Sequence, residues 1–300
     1  MKVYVQSRFK GSDRGLLLDP WTLEPSNPFL IDCIFRVGAD HGCLMGLMDG
    51  KRAIIFGVAN DHSIAWAIAQ RLQREGAVLA FTYVNDAIER RVRPLAASLG
   101  ATVVLPCDVS RDEDIAATFH ALQREWGTLD VVVHAVAFAP REELKGRFLD
   151  TSRMGFQIAL DVSAYSLVAI ARAAEPLLIP HRGALLTLSY FGAEKVIANY
   201  NVMGVAKAAL EACVRYLAWD LGPQGIRVNA ISAGPLRTLS SAGISGFKAM
   251  LHHHAERAPL RRSVTAEEVA NAALYLCSDL SAAVTGEIVH VDAGYNIVGM

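Results

Sequence analysis

From Lys51 onward, apolar and polar positions follow two rhythms in turn. Arg52 to Phe56 is a short apolar run ending at Gly57, which predicts a buried strand. Ser63 to Arg74 carries Ile64, Ala67, Ile68 and Leu72 at helical spacing. A second strand follows at Val78 to Tyr83, then a helix over Ala87 to Leu99 closed by Gly100. Thr102 to Pro106 predicts a third strand, and Asp112 to Trp126 a helix ending at Gly127. Leu129 to Ala135, with three consecutive valines, predicts a fourth strand. A long helical region spans Thr151 to Leu178, and Gly183 to Ser189 reads as strand five. Val202 to Leu221 is a helix stopped by Gly222-Pro223. Arg227 to Ser232 is strand six, Ala266 to Leu276 a helix, and Glu287 to Asp292 strand seven.

Continuous apolar strands alternating with helices imply a parallel sheet covered on both faces. Right-handed crossovers then give a single doubly wound α/β domain of roughly seven strands over residues 47–300. Residues 1–46 read differently. Pro20, Pro25 and Pro28 break up any element, and no continuous apolar stretch follows Lys2. This predicts a poorly ordered extension, or a mispredicted start with Met45 or Met48 as the natural one.

Composition narrows the class. Of 300 residues, 52% are apolar and 20% charged, which excludes wholesale disorder. With 29 basic and 30 acidic residues the net charge is -1, so there is no electrostatic case for nucleic acid or an anionic membrane. No run reaches the roughly 18 uncharged apolar residues of a bilayer span. The five cysteines are scattered and never form a C-x-x-C pair. Neither a disulfide framework nor a metal site is expected, and a reducing cytoplasm is the natural compartment.

Strand ends are where such folds bind ligands. Strand one ends in Gly57, which allows a tight turn, and Ser63 is placed to cap the next helix and offer its hydroxyl to a phosphate. This spacing is not G-x-G-x-x-G, so the turn alone says little. Asp108, after strand three, can accept from an adenine amino group, and the small residues of His134-Ala-Val-Ala-Phe138 can line a dinucleotide. No lysine or arginine stands immediately after strand two to meet a 2′-phosphate, which favours NAD over NADP. Asp86 there reads as a helix cap rather than a ribose ligand. Tyr200 and Lys207 are seven apart. On one helix starting at or before Tyr200 they share a face, offset by roughly 10 Å. A phenol supported by an ammonium can donate to an oxygen that gains charge. The competing reading is a buried tyrosine and a snorkelling lysine.

Taken together, these residues resemble a family. The stretch from about Met48 to Met300 is similar to divergent short-chain dehydrogenases/reductases, and most of all to bacterial NADH-dependent enoyl-acyl-carrier-protein reductases. The likeness rests on Gly57-x5-Ser63-Ile64-Ala65, Phe81-Thr-Tyr83, Cys107-Asp108-Val109, Leu186-Thr-Leu-Ser-Tyr190, Tyr200-x6-Lys207, Arg227-Val-Asn-Ala-Ile-Ser-Ala-Gly-Pro235 and Gly286-Glu-Ile-Val-His-Val-Asp292. It implies a Rossmann-type fold and NADH, rather than NADPH, along Gly57, Ser63, Ile64, Asp108, Val109, Val136, Leu236 and Thr238, with Lys207 on the nicotinamide ribose. It implies hydride delivery to C3 of a trans-2-enoyl thioester, with Tyr200 stabilising the enolate, Tyr190 as second active-site tyrosine and Ala139 against the acyl substrate. It also implies acyl-carrier protein as partner and a homotetramer packed through Thr151–Leu178 and Val202–Leu221.

Met203 stands where ordinary members carry the tyrosine of Tyr-x-x-x-Lys, which argues against a short-chain carbonyl reductase, the alternative reading. A non-catalytic dinucleotide-binding protein is a third, motivated by two departures: Val84 in place of an expected glutamine, and Ala137 in place of a common glycine. Leu236 to Met250 is expected to be a substrate lid. His252-His253-His254 reads as a solvated helix face, since consecutive helical residues point apart and make poor joint ligands. Arg261-Arg262 reads equally as a surface charge pair or a contact for an acidic carrier protein.

Overall fold

The computed structural model describes residues 46–238 and 246–299. In chain order its main elements are β1 (Arg52–Phe56), α1 (Ile64–Arg74), β2 (Val78–Tyr83), α2 (Asp86–Ser98), β3 (Val103–Pro106), α3 (Asp112–Trp126) and β4 (Val131–His134). They continue with α4 (Arg153–Leu160), α5 (Ser166–Leu178), β5 (Ala184–Ser189), α6 (Val202–Leu221), β6 (Arg227–Ala233), α7 (Phe247–Arg257), α8 (Ala266–Cys277) and β7 (Ile288–Val291). The strands form one parallel sheet in the order β3-β2-β1-β4-β5-β6-β7. The order reverses at β1 and β4, so a crevice opens beyond their carboxyl ends.

Strand alternation builds two cores. Ile54, Phe56 and Val132 face Phe119 of α3, Leu167 and Ile170 of α5, and Leu210 and Val214 of α6. Ala53, Ile55 and Val133 face Ile68 and Leu72 of α1, Val92 of α2 and Val269 of α8. Because both faces are buried, the strands read as unbroken apolar runs.

Strand and helix limits fall within about two residues of the sequence expectation, with two departures. The region expected as one helix from Thr151 is two helices joined by a wide π turn, Asp161–Tyr165. Polar side chains support that widening. Ser166 Oγ donates to the Val162 carbonyl at 2.8 Å, and Ser163 turns to the segment after β4. By length and composition alone, Arg153–His181 is long and apolar enough to cross a membrane. Its inward face instead supplies Leu167, Ile170, Ala174 and Leu178 to the core. The second departure is α7, which begins inside the stretch read as a loop. Of the expected lid, residues 239–245 lie outside the described residues, as do residues 1–45 of the expected extension.

Candidate active site

The turn after β1 is shaped by crowding. Gly57 has φ +92°, and a Cβ there would lie 2.1 Å from the Ala135 carbonyl oxygen. Only glycine lets β1 and the segment after β4 approach this closely. Ser63 holds the N-cap position of α1, but its side chain caps nothing in the helix. Its Oγ accepts from the Ala59 and Asn60 amides, both at 3.1 Å, so the hydroxyl organises the turn itself. This corrects the expectation of a side-chain cap. It leaves the N-terminus of α1, and its positive end, facing the crevice beside Gly57. Ile64 is the first residue of α1 and packs against the core beneath.

The other strand ends line up alongside. Asp108 Oδ1 accepts from the Ser110 amide at 3.0 Å and its hydroxyl at 2.7 Å, which fixes the carboxylate, and Val109 is buried below it. After β2, the cap of α2 is Asn85, which accepts from the Ile88 amide at 3.1 Å, and Asp86 is the first helical residue. The cap assigned to Asp86 therefore belongs one residue earlier. Val84 is 53% exposed. Arg93 returns from α2 to sit 5.6 Å over the Tyr83 ring, where Glu89 pairs with it at 2.7 Å. This basic group near strand two is thus neutralised locally.

Val136 is half-buried after β4 and packs on the core, with Ala139 half-buried farther along. Phe138 is tied by its amide to Ser163 Oγ at 2.9 Å, and that hydroxyl donates back to the Phe138 carbonyl at 3.0 Å. Beneath them His134 bonds Thr187 Oγ1 at 2.9 Å and Ser166 Oγ at 2.8 Å. Burial, reinforced by the charge on Lys207, pushes its pKa down to about 3, so the ring is neutral.

Tyr190, Tyr200 and Lys207 converge at the end of β5. The helix does not begin at Tyr200, as the shared-face argument supposed; α6 starts at Val202. Tyr200 lies in the preceding turn, between Asn199 at φ 62° and Asn201 at φ 39°. Asn201 Nδ2 donates to the carbonyls of Lys145 and Gly146 at 3.4 and 3.3 Å, which anchors the turn to the strap after β4. The Tyr200 ring then packs over Gly192, where a Cβ would lie 2.5 Å from the ring edge. Tyr190 meets it edge-on with centroids 5.0 Å apart. Burial raises both phenols, Tyr190 to about 12, so both are protonated donors at neutral pH. Lys207 is buried and donates to the Leu188 carbonyl at 2.7 Å; burial lowers its pKa to about 8. Met203 is buried against Ser163.

A small cavity beside Tyr190 is lined by Phe191, Met250, His254, Asp292 and Tyr295. The Tyr190 hydroxyl donates to Met250 Sδ at 3.3 Å. His254 is 3% exposed and stacks on Tyr295 with centroids 4.6 Å apart, so the three histidines are not all solvated. His252 and His253 are exposed as expected, His252 pairing with Glu256 at 3.3 Å on the surface. The burial of α7 here was not legible, because Tyr295 comes from the far end of the chain. Leu236 packs on the core below α7, Thr238 is half-buried, and Arg237, Lys248 and His252 border a wider opening with Asp61 and His62. Arg262 is held by Glu268, within the capping box that Glu268 makes with Thr265.

A glycine cradle beside a helix N-terminus, with phenols and a lysine across the crevice, defines a dinucleotide-dependent oxidoreductase. A model of the enoyl-(acyl carrier protein) reductase family matches residues 57–296, and the chain belongs to that family. It is 53% identical over 256 residues to the enoyl-acyl-carrier-protein reductase (NADH) of Aquifex aeolicus, which spans 85% of this chain and 95% of that protein. A solved Anaplasma phagocytophilum reductase in complex with NAD is 56% identical, with TM-score 0.82 over 85% of this chain and 97% of its own. A Bacillus cereus reductase solved with NADP+ and indole naphthyridinone is 54% identical, with TM-score 0.84 over 85% and 100%.

Proposed function

We propose that this chain reduces the double bond of a trans-2-enoyl thioester carried by acyl-carrier protein, with NADH as reductant. The observation that carries the reading is the meeting of Tyr190, Tyr200 and Lys207 at one strand end. NADH, held by the residues named below, would supply the hydride that C3 of the thioester takes up. The close approach at Gly57 supports a pyrophosphate lying against the backbone there, facing the N-terminus of α1 at Ser63 and Ile64. Asp108 is the assigned acceptor for the adenine amino group, with Val109 and Val136 flanking the dinucleotide and Leu236 and Thr238 at its nicotinamide end. The local pairing of Arg93 with Glu89 is consistent with NADH over NADPH.

Tyr200 is the assigned donor to the thioester oxygen. A phenol kept protonated by burial holds its hydrogen bond ready where negative charge gathers, and the enolate is stabilised as it forms. Protonation at C2 completes the reduction. Lys207 binds the nicotinamide ribose as an ammonium, Tyr190 is the second active-site tyrosine, and Ala139 borders the substrate.

The reading includes an N-terminal extension over 1–46, a reductase domain over 47–300, a cytoplasmic setting and a homotetramer. Support for the last is the exposed apolar surface of the long helices: Tyr216 and Trp219 on α6 are 75% and 81% exposed, and Met154 on α4 is 70% exposed. Consumption of NADH with a crotonyl thioester tests the activity. Absence of turnover with either nicotinamide overturns it.

A further inference from the structure

Behind Lys207, one helical turn along α6, sits a second buried charged side chain. Glu211 is 7% exposed, and its Oε1 accepts from Ser189 Oγ at 2.5 Å. Lys207 donates to Leu188, the residue before Ser189. Two side chains at i and i+4 on one face of α6 therefore grip two consecutive residues of β5, immediately before Tyr190. We propose that Glu211 is a positioning residue for the reaction, holding the end of β5 beneath Tyr190 and placing a counter-charge one helical turn from Lys207.

The physical need is clear from the burial. Lys207 lies in a desolvated setting that favours its neutral amine, and a neutral amine is a poor anchor for a ribose. His134, on β4, senses the charge of the lysine and is neutral, so it supplies no counter-charge. Among the groups described around Lys207, Glu211 is the one that favours the ammonium. Burial raises the Glu211 pKa above the ordinary carboxylate value, and Glu194, after β5, adds to that, while the Ser189 hydroxyl, Arg215 on α6 and His290 on β7 act against it. Glu194 and His290 pair with each other at 2.8 Å. The Ser189 hydroxyl donates to the charged form and favours it further.

This inference rests on Lys207 being a cofactor ligand, so its test reads binding as well as turnover. NADH affinity is measured by fluorescence titration across pH 6 to about 10 for the wild type, Glu211→Gln and Glu211→Asp. Wild-type affinity is expected to fall as pH rises past about 8, the value to which burial holds Lys207. In Glu211→Gln, which keeps an acceptor for Ser189 and removes the charge, that fall is expected about 1 pH unit lower. Glu211→Asp, which keeps the charge, is expected to restore most of the wild-type profile. Should the amide fail to fold, Glu211→Met supplies the same comparison without burying a polar group. Coincident alkaline limbs for wild type and the uncharged variant overturn the proposal. If Lys207→Met binds NADH as the wild type does, the assignment of Lys207 fails and this inference falls with it. If Lys207→Met weakens binding while the limbs coincide, the role of Glu211 alone is refuted.

Discussion

The Tyr190 and Tyr200 rings meet edge to face, with centroids 5.0 Å apart and planes at 73°. Each phenol thus sits partly in the other's apolar shadow, and both hydroxyls stay protonated. The two differ in company. Tyr190 donates to Met250 on α7, whereas Tyr200 is presented by a strained turn. Tyr200→Phe is therefore expected to lower kcat/KM by about a hundredfold, the usual loss for one oxyanion donor. NADH affinity and melting temperature are expected to stay near wild type. Steady-state kinetics beside a fluorescence titration checks both; equal turnover in the phenylalanine variant removes Tyr200 from the chemistry.

Asn201 stands at φ 39° and ψ -119°, a region costly for any residue with a Cβ. Asn201→Gly relieves the strain but loses the side-chain bonds to Lys145 and Gly146. Asn201→Ala loses the bonds and keeps the strain. The alanine variant is expected to be the less stable by about 1–3 kcal/mol and the slower of the two, since a displaced Tyr200 loses orientation. Chemical denaturation and kcat for the pair decide it; equal stabilities would mean the turn relaxes.

Gly57→Ala places a methyl group where the Ala135 carbonyl already sits, at a φ that alanine resists. The end of β1 and the segment after β4 must then separate. A loss of stability of at least about 2 kcal/mol is expected, with NADH binding lost in any protein that folds. Calorimetry and cofactor titration are the measurements. Wild-type affinity would show that the approach is not what shapes the site.

His134 ties acid stability to the core of the crevice. Its folded pKa of about 3 lies below the ordinary 6.5, so between those values the unfolded chain binds a proton that the folded chain refuses. Its contribution is intact above pH 6.5 and declines as pH falls toward 3. Melting temperature is expected to drop from pH 6.5 to 5, a range in which ordinary carboxylates stay mostly ionised. His134→Gln, which cannot take up the proton, is expected to show a shallower decline. Parallel declines in the two proteins would place the acid sensitivity elsewhere.

The sheet was legible in the sequence because a strand buried on both faces must be apolar throughout, as at Arg52–Phe56 and Val131–His134. The residues that the fold gathers at the crevice stood out in the sequence as types, through Gly57, Tyr190, Tyr200 and Lys207. Their arrangement was less so. Nothing in Asn199-Tyr200-Asn201 announces a helix start, because both asparagines stand at positive φ and Asn201, at the N-cap position, makes no side-chain cap bond. Ser63 looked like a cap, yet its hydroxyl bonds backward into its own turn. The inward face of α7 was hidden because His254 is polar by composition and becomes buried only when Tyr295 covers it. Glu211 gave no signal, since a glutamate on a helix is ordinarily solvated; only the fold puts Ser189 against it.

The π turn at Asp161–Tyr165 fixes the length of the chain at that point. Removing one residue there would return the helix to its ordinary winding and swing everything before or after it by roughly 100°. Either Leu167 and Ile170 would rotate out of the core, or Ser163 would leave Phe138 and release the strap beside the crevice. A single-residue deletion in this stretch therefore disturbs both the core and the crevice, whichever side of it moves.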